Sequence, residues 1–454
     1  MKQNKKQPCM EITKKDEGLK RVIGVSGLAL SIVGFTIGAG IFALPGIVGV
    51  QLGAFAIFGY IFCGIMLAAI MLCYAEIGSR ITTTGGSYAY VEAAFGNFAG
   101  FVISWVLFFG WNVLADAALL NIVTDSLAVI FPLFSDPWIR GIFFFIMLGF
   151  MVLVNIRGAK QGVAVVKLVS IIKLLPLFGI IIFGFGHIKL NNLHWEHLPS
   201  INSFGSSVLI LFFAFAGFES ALGTSGEIKN PKRTVPLGIM LGGLLVLVVY
   251  ILLQTVTQGV LGTQLAAVKD APLAAVAEKI IGPVGATLLL LTAAISCFGT
   301  VSADVLNAPR VLFAGAQDGI FPKFLGIVHP KYTTPHWAII CFGALTFILA
   351  ISGGFKQLAI LASAAILLVY LAVILATIKL RKQPQGSTEK TFKAPGGLIF
   401  PVIGIAAIVW LLTSLSKLEI LSTIIFIAVI CIIHFVMKKI QNNKMGNGLT
   451  GGEK

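Results

Sequence analysis

Long apolar runs, each closed by a charged, proline or glycine-rich break, recur at about 24–50, 52–78, 98–131, 138–156, 161–186, 202–228, 234–260, 283–315, 336–353, 356–379, 397–415 and 418–437. A helix needs roughly 20 apolar residues to cross a bilayer. The pattern therefore predicts an all-α polytopic membrane protein with twelve transmembrane helices. An even number of spans places both termini on the same side. Between the runs, the segment 80–97 (RITTTGGSYAYVEAAFGN) is too polar to span and is predicted to lie at the inner surface. The segment 262–281 reads as a partly amphipathic outer helix with Pro272 near its start, and the tail KMGNGLTGGEK has the composition of a flexible chain.

Composition excludes the soluble alternatives. Hydrophobic residues make up 57% of the 454 residues and charged ones 11%, against about a quarter charged in an average soluble domain. The net charge of +15 would suit a nucleic-acid binder, but its distribution points elsewhere. With a cytoplasmic N-terminus, twenty-four of the 33 basic residues fall on inner segments and six on outer ones, while Lys167, Lys173 and Arg310 lie within runs. That asymmetry satisfies the positive-inside rule, so the charge reports topology and contact with anionic lipid. The basic leader 1–23 is expected to remain uncleaved and cytoplasmic. Six cysteines are too few for a disulfide scaffold, and all but Cys9 lie in apolar stretches, where a thiol behaves as a small hydrophobe. His187, His194 and His197 on the outer loop at 187–201 have only Glu196 as an acidic neighbour. A solvated loop accounts for them, and no metal site or cofactor is predicted.

Two runs are interrupted near their middles. GFTIGAGIFALPG puts Gly34, Gly38, Gly40 and Pro45 inside the first, and FFAFAGFESALG puts Gly217, Glu219, Ser220 and Gly223 at a comparable depth of the sixth. Glycine weakens a helix, and irregular backbone at membrane depth persists only where protein or a watery cavity supplies partners. Small residues also mark close helix packing, and Gly40 alone would mean no more than that. Paired breaks five spans apart are more specific, being the trace of an inverted repeat around a binding site. Freed N–H groups suit a carboxylate and freed carbonyls an ammonium or cation.

The strings IGAGIFALPG, FFAFAGFESALGTSGEIKNPKRTVP, NAPRVLFAGAQDGIFPKFLGIVHP and FKAPGG resemble the amino acid–polyamine–organocation superfamily of permeases, over roughly residues 20–438. The resemblance implies the leucine-transporter fold: a 5+5 inverted repeat at 24–186 and 187–379, with helices one and six broken. A cytoplasmic loop at 380–396, accessory helices at 397–437 and a cytoplasmic tail at 438–454 follow. It also implies that backbone around Ile37, Gly38, Ala39, Gly40 and Ile41 binds a substrate α-carboxylate. Carbonyls around Phe213, Ala214, Phe215 and Ala216 would take its α-ammonium, with Phe213 or Phe215 as an aromatic lid.

Ionisable groups at membrane depth are functional candidates by default. Lys173 lies about twelve residues, or about 18 Å, from either end of its run, whereas Lys167 is close enough to the inner end to snorkel. By resemblance Lys173 takes the place of a sodium ion, near carbonyls at Gly34–Gly38 and hydroxyls of Thr300 or Ser302. Burial penalises its ammonium form, so it is read as a proton-coupling group or as a fixed cation that permanently replaces sodium. Glu219, just after the sixth-run break, either relays protons or accepts hydrogen bonds from loosened N–H groups. Asp116 and Asp304 are candidate substrate-binding carboxylates. Asp304 would favour a cationic or polar substrate side chain, or pair internally with Lys173. Arg310 reads as a structural or gating residue outside the pocket.

These readings converge on a secondary active transporter of L-amino acids in a bacterial cytoplasmic (inner) membrane. It would work by alternating access as a monomer or homodimer, coupled to protons and independent of sodium. An exchanger of cationic amino acids or polyamines is the alternative within the class. A channel would need a continuous polar lining, a non-transporting sensor usually carries a sizeable output domain, and no phosphate loop, metal motif or nucleophile elbow speaks for an enzyme.

Overall fold

The structure is a computed structural model that describes residues 21–449, apart from 22, 39, 83–84, 158, 196–197, 270, 318, 320 and 383–391, and without side chains at 159–171, 224, 226, 314 and 438–449. Ala39, Cys9, Glu196 and His197, the leader up to residue 20 and the side chain of Lys167 thus lie outside the described residues.

The described chain is helical throughout, and its one bridge pairs Ile23 with Ile228. In order the α-helices are α1 (Val25–Thr36), α2 (Gly40–Leu52), α3 (Ala56–Arg80), α4 (Gly86–Phe95), α5 (Asn97–Trp105), α6 (Leu114–Ile130), α7 (Pro137–Arg157) and α8 (Ala159–Gly184). They continue as α9 (Ile201–Phe215), α10 (Pro231–Leu261), α11 (Pro272–Ile281), α12 (Pro283–Gln317), α13 (His336–Ser352), α14 (Phe355–Arg381), α15 (Ile399–Thr413) and α16 (Lys417–Leu449). Among the described residues eight helical segments are long and apolar enough to cross a membrane, and four shorter apolar helices accompany them. They overlie the apolar runs, with Gly40–Arg80 covering parts of the first two. The segments number fewer than the runs partly because α2 and α3 join through a 3-10 turn at Gly53–Phe55 and form one helical stretch, Gly40–Arg80. The protein is a multi-pass membrane protein.

The surface is the inverse of a soluble one. Phe145, Ile146, Phe150 and Leu153 on α7, Val402 and Val409 on α15, and Ile424, Ile425, Ile432 and Phe435 on α16 are all exposed. In a bilayer such side chains meet acyl chains, so helices gain nothing from hiding them, and close contact has to come from small residues and fitted surfaces. Helix α10 does this on two faces. A Cβ at Gly238 would meet Leu28 Cδ2 at 2.7 Å and one at Gly242 would meet Ile32 Cγ2 at 2.8 Å, both on α1. On its other side Gly243 approaches Met71 Sδ of α3, with a Cβ at 2.5 Å.

Two elements depart from the expectations. The middle of the third run, Val106–Val113, is π-helical between α5 and α6. Its wider turn brings Gly110 so near α14 that a Cβ there would lie 2.7 Å from Ala365 Cβ. The polar segment 80–97 contains a helix, α4, whose Ser87, Tyr90, Val91 and Ala94 are buried. Ser87 Oγ finds its partner inside the protein, 2.8 Å from Tyr74 Oη. The segment after α10 divides as expected, into a 3-10 stretch at Gly262–Val268 and α11 opening on Pro272.

At the C-terminal ends of α3 and α14 a fully buried carboxylate organises the packing. Glu76 Oε1 accepts from Arg80 Nη2 (3.0 Å) and Arg381 Nε (2.8 Å), and Oε2 accepts from Arg381 Nη2 (2.5 Å) and the Ala394 amide (2.9 Å). Arg381 also donates to the Gly397 carbonyl, and Arg80 Nη1 to the Leu380 carbonyl at 2.9 Å. The irregular segment FKAPGG is thereby pinned to α3.

Candidate binding site at two broken helices

The two glycine-rich interruptions are backbone breaks, and they face each other. Helix α1 stops at Thr36, Ile37 leaves the helical region (φ −74°, ψ 79°), and α2 starts at Gly40. Helix α9 stops at Phe215, Gly217 takes φ 112°, and a 3-10 helix, Phe218–Glu227, continues the chain. A left-handed φ of that size favours glycine. The contact across the breaks requires glycine too, since a Cβ at Gly217 would lie 3.0 Å from the Phe35 carbonyl oxygen.

The hydroxyl of Tyr250, on α10, lies between the breaks, donating to the carbonyls of Thr36 (3.0 Å) and Ala214 (2.9 Å). Tyr250→Phe is expected to lower stability by about 1–3 kcal/mol, because two buried carbonyls lose their donor. A reduced melting temperature in detergent, together with weaker substrate binding, is the expected measurement. An unchanged melting temperature would remove the bridging role.

A cavity opens beside the breaks. Its walls are Phe35, Thr36, Gly38 and Gly40 of the first, Phe213, Ala214, Ala216, Gly217 and Ser220 of the second, Trp111, Ala115 and Leu119 of the π segment and α6, and Thr300 and Asp304 of α12. Of the residues predicted as a carboxylate site, Gly38 and Gly40 line it, while the side chains of Ile37 and Ile41 are buried away from it. The amides of Ile37 and Gly38 are already used, donating to Val33 (2.9 Å) and Thr36 (2.8 Å). The N-terminus of α2, from Gly40 and Ile41 onward, is thus the described backbone with helix-end N–H groups turned to the break. On the other side Phe213, Ala214 and Ala216 line the cavity and Phe215 does not. Phe215 is packed against Tyr250 and Tyr60, at centroid distances of 5.0 and 6.2 Å. Phe213 is the aromatic at the cavity, with Trp111 at 5.8 Å and Phe355 at 5.7 Å.

The buried ionisable groups converge on the same place. Lys173, 2% exposed, donates from Nζ to the Gly34 carbonyl at 2.6 Å. On α12 the groups that interact electrostatically with its ammonium are Cys297 and Asp304. The expected hydroxyl partners are placed otherwise: Thr300 Oγ1 donates to the Ser296 carbonyl at 3.1 Å and lines the cavity, and Ser302 is buried. Glu219 Oε2 accepts from the Gly217 amide (3.0 Å) and from Tyr370 Oη (2.5 Å), which places the carboxylate on the loosened backbone. Asp304 lines the cavity, and Asp116 of α6 is fully buried against it. Arg310 is exposed, 3.5 Å from Asn307 Oδ1, and outside the cavity. His187 and His194 are exposed and each lies 3.1 Å from a backbone carbonyl.

Tyr250, Tyr370, Trp111 and the Glu76 cluster escaped the sequence reading. For the tyrosines a signal existed, since a hydroxyl in an apolar run must find a partner.

The amino acid permease family matches residues 23–443. A serine/threonine exchanger of Bacillus subtilis (strain 168) is 30% identical over 407 residues, covering 88% of this chain and 92% of that protein. A branched-chain amino acid permease of the same organism is 26% identical over 450 residues, covering 95% and 96%. A vacuolar cationic amino acid transporter of Arabidopsis thaliana is 27% identical over 388 residues, covering 80% of this chain and 64% of that protein. These relatives are transporters and not enzymes. With a match across almost its whole length, the chain belongs to the amino acid permease family.

Proposed function

We propose that the protein is a secondary active transporter of L-amino acids, built as twelve spans with a five-plus-five inverted repeat at 24–186 and 187–379. The leader 1–23, the loop 380–396 and the tail 438–454 are cytoplasmic in this reading, and 397–437 forms two accessory spans of a bacterial inner-membrane protein. The observation that carries it is the cavity between two broken helices, lined by Gly38 and Gly40 on one side and by Phe213, Ala214, Ala216 and Gly217 on the other. The α-carboxylate sits at the N-terminus of α2, around Gly38, Ala39, Gly40 and Ile41. The α-ammonium takes carbonyls at the end of α9, and Phe213 forms the lid. Alternating access moves one repeat against the other around this fixed centre.

Lys173 supplies the coupling charge. Its ammonium lies on the Gly34 carbonyl, where a bound cation would otherwise neutralise the break. A second cation there would meet a unit charge at low dielectric, a repulsion of several kcal/mol, which favours sodium-independent transport. Release and rebinding of the Lys173 proton, with Glu219 as relay, couples substrate flux to the proton gradient. The similarity to a serine/threonine exchanger favours obligatory exchange as a second reading.

The test is uptake of radiolabelled neutral, cationic and acidic L-amino acids into proteoliposomes in sodium-free buffer, with and without an inward proton gradient and with and without preloaded substrate. Gradient-stimulated uptake into empty vesicles is the expected result. Accumulation confined to preloaded vesicles would replace symport by exchange, and absence of flux and of binding for every amino acid by folded protein would overturn the reading.

A further inference from the structure

One pair of side chains at the cavity is not used by the binding mode proposed above: Asp304 on its lining and Asp116 behind it. Asp116 is 0% exposed, and neither of its carboxylate oxygens has a hydrogen-bond partner. It sits where α6 packs on α12, and the ionisable group it interacts with there is the carboxyl of Asp304. Asp304 opens onto the cavity, beside Thr300 and on the wall formed with Trp111, Ala115 and Leu119. Thr300 also stands beside the first break, since a Cβ at Gly38 would lie 3.8 Å from its Oγ1, so Asp304 shares one small cavity with the broken backbone. Asp304 is also the ionisable side chain among the described residues that line the cavity.

Two carboxyl groups in contact without a donor between them cannot both be ionised in the empty protein, because like charges in a low-dielectric site repel strongly. They share one proton, which serves as the missing donor. The pair then carries one negative charge, matched by the ammonium of Lys173, which faces Asp304 from α8. The other ionisable group near Asp304 is Glu219, from the 3-10 segment after α9, and that carboxylate is already held by the Gly217 amide and the Tyr370 hydroxyl.

Resting on the proposed amino acid transport, we infer that the Asp116–Asp304 pair takes either one proton or the terminal ammonium of a cationic substrate side chain. When an amino acid such as lysine or ornithine enters, its ammonium replaces the shared proton. That proton leaves from the carboxyl pair to solvent through the cavity, both carboxylates become ionised, and the total charge of the site is unchanged. A neutral amino acid leaves the shared proton where it is. The pair thus sets the side-chain class of the substrate and links cation binding to proton release. Affinity for lysine rises with pH, by up to about tenfold per unit where the free pair holds its proton, while affinity for a neutral amino acid is flat.

Calorimetric binding to the purified full-length protein tests this, with L-lysine and L-ornithine against L-norleucine and L-serine, in buffers of different ionisation enthalpy. The expected result is close to one proton released per lysine or ornithine and none per norleucine or serine. In Asp304→Asn and Asp116→Asn the release with lysine disappears. Lysine binding without proton release and without pH dependence in the wild-type protein, a measurement that needs no variant, would overturn the inference. So would binding of serine or norleucine with none of lysine or ornithine, which would leave the amino acid transport reading standing. Failure of all amino acids, cationic and neutral, to bind folded protein would instead overturn that reading and this one with it.

Discussion

Lys173→Met is expected to abolish coupled transport, lowering gradient-driven uptake by a factor of roughly 100 or more. The side chain is almost wholly buried and its Nζ lies 2.6 Å from the Gly34 carbonyl. A buried carbonyl that loses its donor costs about 1–3 kcal/mol, each 1.4 kcal/mol is a factor of about ten, and loss of the coupling charge adds to it. The carbonyl stranded here belongs to the last turns of α1, just before the break that lines the cavity. Methionine matches the length of lysine but has neither charge nor donor. Lys173→Arg separates the two roles of the ammonium, because a guanidinium stays protonated. If the lysine carries the moving proton, the arginine variant retains counterflow in preloaded vesicles and loses gradient-driven accumulation. If the ammonium is a fixed cation, both activities persist. Full gradient-driven uptake by Lys173→Met would exclude any coupling role for this residue.

Glu76→Gln is expected to cause the largest loss of stability. The carboxylate is inaccessible to solvent and accepts four hydrogen bonds, three from two arginines and one from the Ala394 amide. A carboxamide has one acceptor oxygen, and its NH2 group would point at cationic donors. Two guanidinium groups would then be left facing each other without their counter-charge, at a cost of about 3–5 kcal/mol. Heating solubilised protein and following the monodisperse fraction by size-exclusion chromatography measures the change. A melting temperature within a degree or two of the wild type would mean that Arg80 and Arg381 find acceptors elsewhere. This cluster, at the shared end of α3 and α14, does not line the cavity, which predicts loss of folded protein before any change in substrate selectivity.

Several features were legible in the sequence because the chain breaks its own local rules there. Glycine at 34, 38, 40 and 217 in otherwise strong apolar runs announced both interruptions, and Lys173 in the middle of a run is buried against the first of them, on the Gly34 carbonyl. The amino acid permease resemblance, resting on those same strings, was borne out by the family match over 23–443. What stayed hidden depends on helix rotation and on distant partners. Runs that are apolar all round carry no amphipathic stripe, so nothing local told whether Thr300 or Cys297 would turn towards Lys173. Phe213 and Phe215 were indistinguishable for the same reason, although one faces the cavity and the other the Tyr60–Tyr250 cluster. The π segment is written in ordinary residues, VLFFGWNV. The polarity of 80–97 marks a segment that does not span, but not that one face of α4 is buried with Ser87 against Tyr74. Glu76 and Arg381 are 305 positions apart, a separation that no spacing rule bridges.

The hydroxyl of Tyr250 has one hydrogen and two carbonyls, at 3.0 and 2.9 Å, competing for it. One carbonyl ends α1 and the other lies in the last turn of α9, so the two broken helices are joined by a bond that can be handed from one to the other. The near-equal distances make the two arrangements almost degenerate. A small tilt of either helix that lengthens one contact shortens or frees the other, and the loss is largely cancelled as it arises. The joint therefore behaves as a swivel and resists separation more than rotation. A transporter needs that combination at its centre, because the two segments must stay together while their angle changes. It also implies that ligand contacts on either carbonyl are felt at the other within a single hydrogen bond, before any helix has moved as a whole.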